Sequence, residues 1–284
     1  MSDSLSRFIF DNYNIRGELI NLDESVQQLL KNHNYPSLLA DMLTEAVAIN
    51  ALMASTLKFE GRVSVQLQTP GKLKLLLVQT THELSYRGIV RYDEDSDYSE
   101  LNFKQLTEQG QLVITIEPLK GKRYQGVVAL EGETLSSCVE SYFNLSEQLK
   151  TRLWFYKGDS KAYGVLLQAL PDMENETDFE HLEVLASTLT PEECFSLDNE
   201  TILHRLFHNE SVKNLAEDPV IYQCACSRDK MLSSIQLLGD EEVEEILATE
   251  GEISVQCEFC LNKYAFDKLD IKQHQSHQGN DTKH

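Results

Sequence analysis

Residues 224–260 read CACSRDKMLSSIQLLGDEEVEEILATEGEISVQCEFC, and the four cysteines in this stretch decide how the last quarter of the chain folds. They form two close pairs, Cys224-Ala-Cys226 and Cys257-Glu-Phe-Cys260, which are separated by 30 residues. Each pair can supply two thiolates to adjacent corners of a tetrahedron while the spacer folds around the metal. The sequence therefore predicts one zinc ion held by Cys224, Cys226, Cys257 and Cys260.

The spacer between the two pairs has the pattern of two short helices. The first is predicted over residues 227–238, and Asp240 is predicted to cap the second, which Gly251 ends. A unit of about 65 residues has little core of its own, so metal binding, worth on the order of 10 kcal/mol or more, supplies much of its folding free energy. Loss of zinc is expected to unfold it. The apolar faces of the two helices consist of Met231, Leu232, Ile235 and Leu238, and of Val243, Ile246 and Leu247.

Two histidines beyond the last cysteine offer an alternative site. His274 and His277 could join Cys257 and Cys260 in a Cys2His2 site, but the gap between these histidines is shorter than the usual three to five residues. The stretch that contains them, HQSHQGNDTKH, is more typical of a disordered, solvated tail.

Two other readings of the cysteine pairs are disfavoured by their context. A thioredoxin-like redox centre places Cys-x-x-Cys between a strand and a helix, whereas Cys257 follows ISVQ and Cys260 precedes NKYAF, which predicts a knuckle between short strands. A zinc ribbon that binds nucleic acid needs a basic surface. Residues 220–284 instead hold 6 Lys or Arg and 12 Asp or Glu.

Upstream of the cysteines, residues 1–171 have the pattern of one α+β domain. A hairpin is predicted over residues 7–21, a long buried helix follows Pro36, and a second helix opens at Thr134. The long helix is expected to pack on a sheet. Alternation of apolar and polar residues predicts the strands at 63–68, 72–80, 84–92, 112–118, 124–130, 153–157 and 163–169.

Residues 172–219 have the pattern of a helical linker. A polar, acidic hinge follows Pro171, and two short helices are predicted, the second over residues 199–208. The stability of helices this short depends on packing rather than on intrinsic propensity, so they could unfold while the first domain stays folded. The inner side of the first helix is predicted to carry Phe179, Leu182, Val184, Leu185 and Leu189.

Charge and hydropathy exclude several classes of partner. The formal charge is −21, from 46 acidic and 25 basic residues, and such a field repels nucleic acid and anionic membranes. The N-terminus lacks the basic and apolar regions of a signal peptide, and no run of 18 apolar residues occurs. The sequence therefore predicts a cytoplasmic protein, in which cysteines bind metal or sense oxidants rather than form permanent disulfides.

The remaining thiols and the known catalytic motifs give little sign of an enzyme. Cys138 is expected to be a buried apolar thiol, whereas the role of Cys194, just after Pro191, stays open. The chain has no GxSxG, P-loop, HExxH or strand-linked GxGxxG motif. We therefore expect a protein without catalytic residues.

These residues together resemble the 33 kDa chaperonin family of redox-regulated heat shock chaperones. The resemblance rests on Cys-x-Cys, a spacer of about 30 residues, and Cys-x-x-Cys, and it extends to three stretches upstream. It covers nearly the full chain. The three stretches are RFIFDNYNIRGEL near the start, YQGVVAL at 124–130 and LSSCVESYFNLSEQLKTRLW at 135–154.

The resemblance implies a redox-regulated molecular chaperone of the holdase type with three parts. These are a substrate-binding and dimerisation domain (1–171), a metastable linker (172–219) and a zinc-binding redox-switch domain (220–284). Oxidation is expected to release zinc, to form the disulfides Cys224–Cys226 and Cys257–Cys260, and to unfold the linker, which exposes surface for unfolding client proteins. The family further implies a homodimer when oxidised and transfer of clients to ATP-dependent foldases.

Two other functions stay open at this point. A thiol-disulfide oxidoreductase would turn over a disulfide substrate. A constitutive zinc-stabilised interaction protein would lose its activity on oxidation rather than gain it.

Overall fold

The chain folds into two compact units, Met1–Gln223 and Cys224–His284. The structure is a computed structural model, and it describes residues 3–57, 60–171, 173 and 175–273. The α+β class predicted from the sequence is confirmed, because each unit combines helices with antiparallel strands.

The first sheet of the N-terminal unit has five strands in the order β10-β1-β2-β9-β8. Its predicted opening hairpin is confirmed, and Gly17 is required there because the ring of Phe8, its direct partner across the hairpin, occupies the space of a β-carbon. Strand β10 was missed by the sequence analysis, since an edge strand with mostly exposed residues lacks apolar alternation. The strands are β1 (Ser4–Phe10), β2 (Ile15–Leu22), β8 (Thr151–Gly158), β9 (Lys161–Ala169) and β10 (Val212–Pro219).

The second sheet has six strands in the order β11-β5-β4-β3-β6-β7. The five strands predicted between residues 63 and 130 are all present, with bounds that shift by one or two residues. The short β11 (Ile221–Tyr222) adds a parallel pairing to β5. The others are β3 (Gly61–Gln68), β4 (Leu73–Thr81), β5 (Ser85–Tyr92), β6 (Gln111–Pro118) and β7 (Tyr124–Ala129).

The long helix α2 (Ser37–Ser55) begins directly after Pro36, as predicted, and contacts both sheets. Its length and hydropathy would suit a membrane span, but 72% of its most apolar window is buried inside the protein, as in the core helix of a globular fold. The main core forms around it. Helices α1 (Glu24–Leu30), α3 (Phe103–Leu106) and α4 (Leu135–Tyr142) complete this layer, and α4 begins after the capping residue Thr134 and continues into a π-helix (Phe143–Glu147).

Helices α5 (Glu176–Ala186), α6 (Pro191–Ser196) and α7 (Asn199–Phe207) cover the other face of the first sheet. Phe179 and Leu182 are fully buried there. The prediction for Val184 was wrong: its side chain is 64% exposed, because the helix turns its position away from the sheet. The residues that these helices cover on the sheet are Phe8, Phe10, Ile15, Leu19, Tyr163, Val165 and Leu167.

The C-terminal unit contains α8 (Arg228–Ile235), a 3-10 turn (Gln236–Leu238), α9 (Asp240–Glu250) and the hairpin β12 (Ile253–Gln256) and β13 (Lys263–Phe266). Both predicted helices and the knuckle between short strands are confirmed. Asp240 is the first helical residue rather than the cap, since Gly239 holds the capping position with a φ of 88°. Gly251 ends α9 in the left-handed conformation, as predicted, whereas Leu238 is 43% exposed and lies outside the small core.

Candidate metal centre

The four predicted cysteines are carried by two loops of the C-terminal unit. Cys224 and Cys226 lie in the loop between β11 and α8, just before Ser227, whose side chain caps α8 by accepting a hydrogen bond from the Lys230 amide at 3.2 Å. The Lys230 ammonium donates to the carbonyl of Ala225 at 2.6 Å, which holds the segment between the two cysteines against the start of the helix.

Cys257 and Cys260 lie in the turn between β12 and β13. The Cys257 amide donates to the Asn262 carbonyl at 2.9 Å, and the Leu261 amide donates to the Cys257 carbonyl at 2.8 Å. Leu261 adopts a left-handed conformation with φ of 60°, which lets the chain reverse within five residues. This Cys-x-x-Cys is therefore part of a strand-to-strand knuckle and does not precede a helix.

The two loops bring all four sulfur atoms together. Cys224 Sγ lies 3.6 Å from Cys257 Sγ, Cys226 Sγ lies 3.5 Å from Cys260 Sγ, and all four lie within 4.8 Å of one another. A tetrahedral zinc ion with bonds of about 2.3 Å separates its sulfur ligands by about 3.8 Å. All four cysteines are free thiols. The donor set and its spacing fit a metal ion bound by four thiolates.

Burial makes this arrangement costly for thiols that ionise without a partner cation. Cys257 and Cys260 are 5% and 7% exposed, whereas Cys224 and Cys226 are partly buried. Burial raises the pKa of the Cys260 thiol well above its usual range, and it also raises the pKa of the Cys224 thiol. A bound cation offsets that cost, because it stabilises the thiolate form of every ligand.

Tyr264 is a member of the site that the sequence analysis missed. Its hydroxyl lies 3.2 Å from Cys226 Sγ and can donate to the thiolate. Burial acts to raise the pKa of Cys226, but hydrogen bonds from Tyr264 and from neighbouring thiols outweigh it and lower this pKa. The sequence signal was weak: Tyr264 stands two positions before the buried Phe266 in β13, and only the folded hairpin turns it towards the cysteines.

Phe266 and Arg228 fix the start of α8 beside this hairpin. The guanidinium of Arg228 stacks 4.5 Å from the centre of the Phe266 ring and donates to Asp270 Oδ2 at 2.6 Å. Phe266 is fully buried in the small core of the unit. These contacts connect the segment that follows Cys226 to the strand that carries Tyr264.

The other sequence candidates lie elsewhere. Cys138 is buried, as predicted, and Cys194 is fully buried, where desolvation raises its pKa to about 12. His274 and His277 fall outside the described residues. Among the residues that the structure describes, the four-cysteine cluster is the group of ligand side chains close enough to hold a metal ion.

The fold and this site define a class: an α+β protein whose small C-terminal unit gathers four thiols around a position suited to a metal. The family model described as "Hsp33 protein" matches residues 3–267. The chain belongs to the Hsp33 family, and the resemblance drawn from the sequence is confirmed. The assignment as a chaperone rests on this membership, and it accords with the expected absence of catalytic residues.

Relatives and a solved structure agree with this membership. The chain is 41% identical over 279 residues to a 33 kDa chaperonin of Pseudomonas aeruginosa (strain LESB58), covering 96% of this chain and 94% of that protein. It is 46% identical over 271 residues to one of Shewanella sp. (strain W3-18-1), covering 95% and 94%. The crystal structure of the 33 kDa chaperonin from Thermotoga maritima, at 19% identity, shares the fold with a TM-score of 0.82 over 99% of this chain and 100% of that one.

Proposed function

We propose that this protein is a cytoplasmic holdase that is inactive when reduced and zinc-bound and becomes active when its four clustered cysteines are oxidised. The observation that carries the proposal is the cluster itself: four free thiols within 4.8 Å, in a unit whose core is small. Cysteines that only packed the unit would not need to converge on a single point.

Zinc is the metal that this donor set favours. Four soft sulfur ligands without a carboxylate or carbonyl in the set suit zinc rather than calcium or magnesium. When bound, the ion holds the thiolates ionised and joins the loop before α8 to the β12–β13 turn. The ligands of the single ion are Cys224, Cys226, Cys257 and Cys260.

Oxidation removes these ligands in pairs. We infer that Cys224 bonds to Cys226 and Cys257 to Cys260, as the family resemblance implied. For each disulfide, two thiolates give two electrons to one peroxide, which takes up two further protons and leaves as two water molecules, while a sulfur–sulfur bond forms. The sulfurs of each pair already lie within 4.8 Å, so rotation about the side-chain bonds and a small movement of each loop bring them to bonding distance.

The linker would transmit this change to the client surface. Its helices α5–α7 bury apolar side chains against the outer face of the first sheet, and the chain continues through β10 and β11 directly to Cys224. Because short helices are held by packing, loss of the folded C-terminal unit would leave residues 172–219 less constrained. Release of the linker would expose Phe8, Phe10 and the other sheet residues beneath it, and exposed apolar surface binds unfolding proteins.

The proposal includes partners that follow from the family. The oxidised protein is expected to form a homodimer, to hold unfolding clients and to pass them to ATP-dependent foldases. Neither nucleic acid nor a membrane is expected as a partner, since the net charge of −21 opposes binding to both.

The test is light scattering from an unrelated protein that unfolds on heating. The protein is added either reduced and zinc-loaded or after treatment with peroxide at raised temperature, and zinc release is followed with a chromogenic chelator. Suppression by the oxidised form, reversed by a reductant, is the expected result. Equal protection by both forms would refute the switch and favour a constitutive interaction protein.

A matched pair of variants assigns the effect to the cluster. The double variant Cys257→Ser with Cys260→Ser should not bind zinc and should lose redox control. The variant Cys138→Ala removes a buried thiol outside both the cluster and the linker helices and should keep the oxidative switch. Loss of the switch in Cys138→Ala alone would place the reactive thiol outside the metal centre.

A further inference from the structure

A second candidate site lies in the N-terminal unit. A pocket of about 480 Å³ opens where the C-terminal end of α2, the π-helix and strands of both sheets come together. This volume is within the range of small-molecule sites in proteins, about 300–1,000 Å³. Its walls are mostly aliphatic, formed by Met53, Val63, Ile116, Leu170 and the ring of Phe143.

Arg16 supplies the positive charge in this pocket. Its guanidinium donates through Nε and Nη2 to a single acceptor, Gln168 Oε1, at 3.2 and 2.5 Å. Gln168 is buried and donates in turn to Thr151 Oγ1 at 2.8 Å, which fixes its orientation. A guanidinium has five donors, and in the described part of the chain Gln168 is their hydrogen-bond partner; the Glu18 carboxyl attracts the guanidinium electrostatically without a hydrogen bond to it.

The acids nearest to this pocket are already engaged. Glu147 lies at the exposed rim and accepts a hydrogen bond from the Tyr142 hydroxyl at 2.7 Å. Glu18, two residues from Arg16 on the same strand, is buried and accepts from Ser55. The pocket thus combines apolar walls with one cation, Arg16, that has hydrogen-bond donors to spare. Glu147 at the rim disfavours a ligand with two negative charges.

We propose that this pocket binds an amphipathic monocarboxylate with an unbranched alkyl chain, the carboxylate on Arg16 and the chain along the aliphatic walls. A carboxylate can accept two hydrogen bonds from the guanidinium donors that Gln168 leaves unused, so the contact between Arg16 and Gln168 is kept. The alkyl chain would cover Met53 and Ile116. This site is separate from the cysteine cluster, so it stands or falls independently of the redox switch.

Titration of the reduced, zinc-loaded full-length protein with octanoate and decanoate, below their micelle concentrations, tests the site. Binding is followed by calorimetry and by the methyl NMR signals of Met53 and Ile116. Each buried methylene should tighten binding about fourfold, so decanoate should bind about fifteenfold more tightly than octanoate. Decanol has the same chain without the charge and should bind at least about tenfold more weakly than decanoate.

Two variants and a control locate the binding. Arg16→Met keeps an unbranched side chain about as long as the arginine stem but removes the charged guanidinium, and it should weaken decanoate binding at least about tenfold. Ile116→Phe reduces the volume of the pocket and should weaken decanoate more than octanoate. Arg123→Gln removes an exposed cation outside the pocket and should bind decanoate like the wild type.

Three results would overturn the proposal. They are equal affinity for decanol and decanoate, decanoate affinity unchanged by Arg16→Met, and saturation without a change in the Met53 and Ile116 signals. The first two would show that the ligand binds through general apolar contact, and the third would show that it binds outside this pocket. Because the reduced protein is used throughout, none of these results bears on activation by oxidation.

Discussion

Glu18 makes the stability of the N-terminal unit depend on pH near neutrality. This carboxyl group is 2% exposed, lies on β2 directly opposite Arg7, and accepts a hydrogen bond from Ser55 on α2. Burial raises its pKa from 4.5 to about 7, although Ser55, Arg16 and Arg7 act to lower it. The folded protein therefore holds a proton that the unfolded chain releases at lower pH.

The sign and size of the effect follow from this difference. Between pH 4.5 and about 7 the folded state binds more protons than the unfolded state, so stability falls as pH rises through this range. Each pKa unit corresponds to about 1.36 kcal/mol, and the full rise is worth about 3 kcal/mol. About 2 kcal/mol of this falls between about pH 5.5 and 8.5.

Glu18→Gln removes the ionisation while an amide can still accept from Ser55. Relative to the wild type, the variant should gain about 2 kcal/mol in unfolding free energy between about pH 5.5 and 8.5. Urea unfolding of the reduced, zinc-loaded protein, followed by fluorescence of the single tryptophan, measures this gain. Trp154 lies on β8, so the signal reports the N-terminal unit.

The control is Glu108→Gln, which makes the same chemical change at an exposed position and should leave the pH dependence of stability unchanged. Every other titrating group is common to the wild type and the variants, so the difference isolates Glu18. Parallel stability curves for the wild type and Glu18→Gln would refute the reasoning, because they would mean that Glu18 is already ionised in the folded protein across this range.

Three further predictions concern the metal centre and the linker. Tyr264→Phe removes a hydroxyl that contacts Cys226 and should weaken zinc binding about tenfold in a chelator competition; unchanged affinity would mean that this contact does not support the ligand. Leu182→Ala leaves a cavity under α5 and should destabilise the protein by about 2–5 kcal/mol. The reduced variant should then show partial holdase activity in the scattering assay, whereas Val184→Ala, at an exposed position of the same helix, should not. Removal of zinc by a chelator should abolish the amide NMR dispersion of residues 224–273 and leave that of strands β3–β6 unchanged, and retained dispersion in residues 224–273 would show that the unit folds without metal.

The metal centre could be predicted because its signal is local. Two cysteines within three or four residues of each other must lie close together in any fold, and the chemistry of thiolates then limits what they can bind. The long helix after Pro36 and the strands between residues 63 and 130 were found for a similar reason, since each carries its own hydrophobic period. Features of this kind can be predicted without knowledge of the tertiary structure.

The features that were missed depend on partners far away in the sequence. Strand β10 has mostly exposed residues and is defined by its pairing with β1, about 200 residues earlier. Tyr264 joins the site only because the hairpin places it beside Cys226. Cys226 and Tyr264 are 38 residues apart, so no short window of the sequence contains both members of either pair.

Strand β2 shows why the polar interior of the N-terminal unit was also missed. In the sequence IRGELINL, Arg16 and Glu18 alternate with Ile15 and Leu19, which is the pattern of a strand with one face in water. The structure covers both faces, because helices α5–α7 pack on the side of Ile15 and Leu19 while α2 packs on the side of Glu18. A charged residue on a strand covered from both sides must find partners within the protein or shift its pKa. Glu18 does both, and Arg16 meets the same constraint with one amide acceptor and donors to spare, which makes it the residue of this strand best placed to receive an external anion.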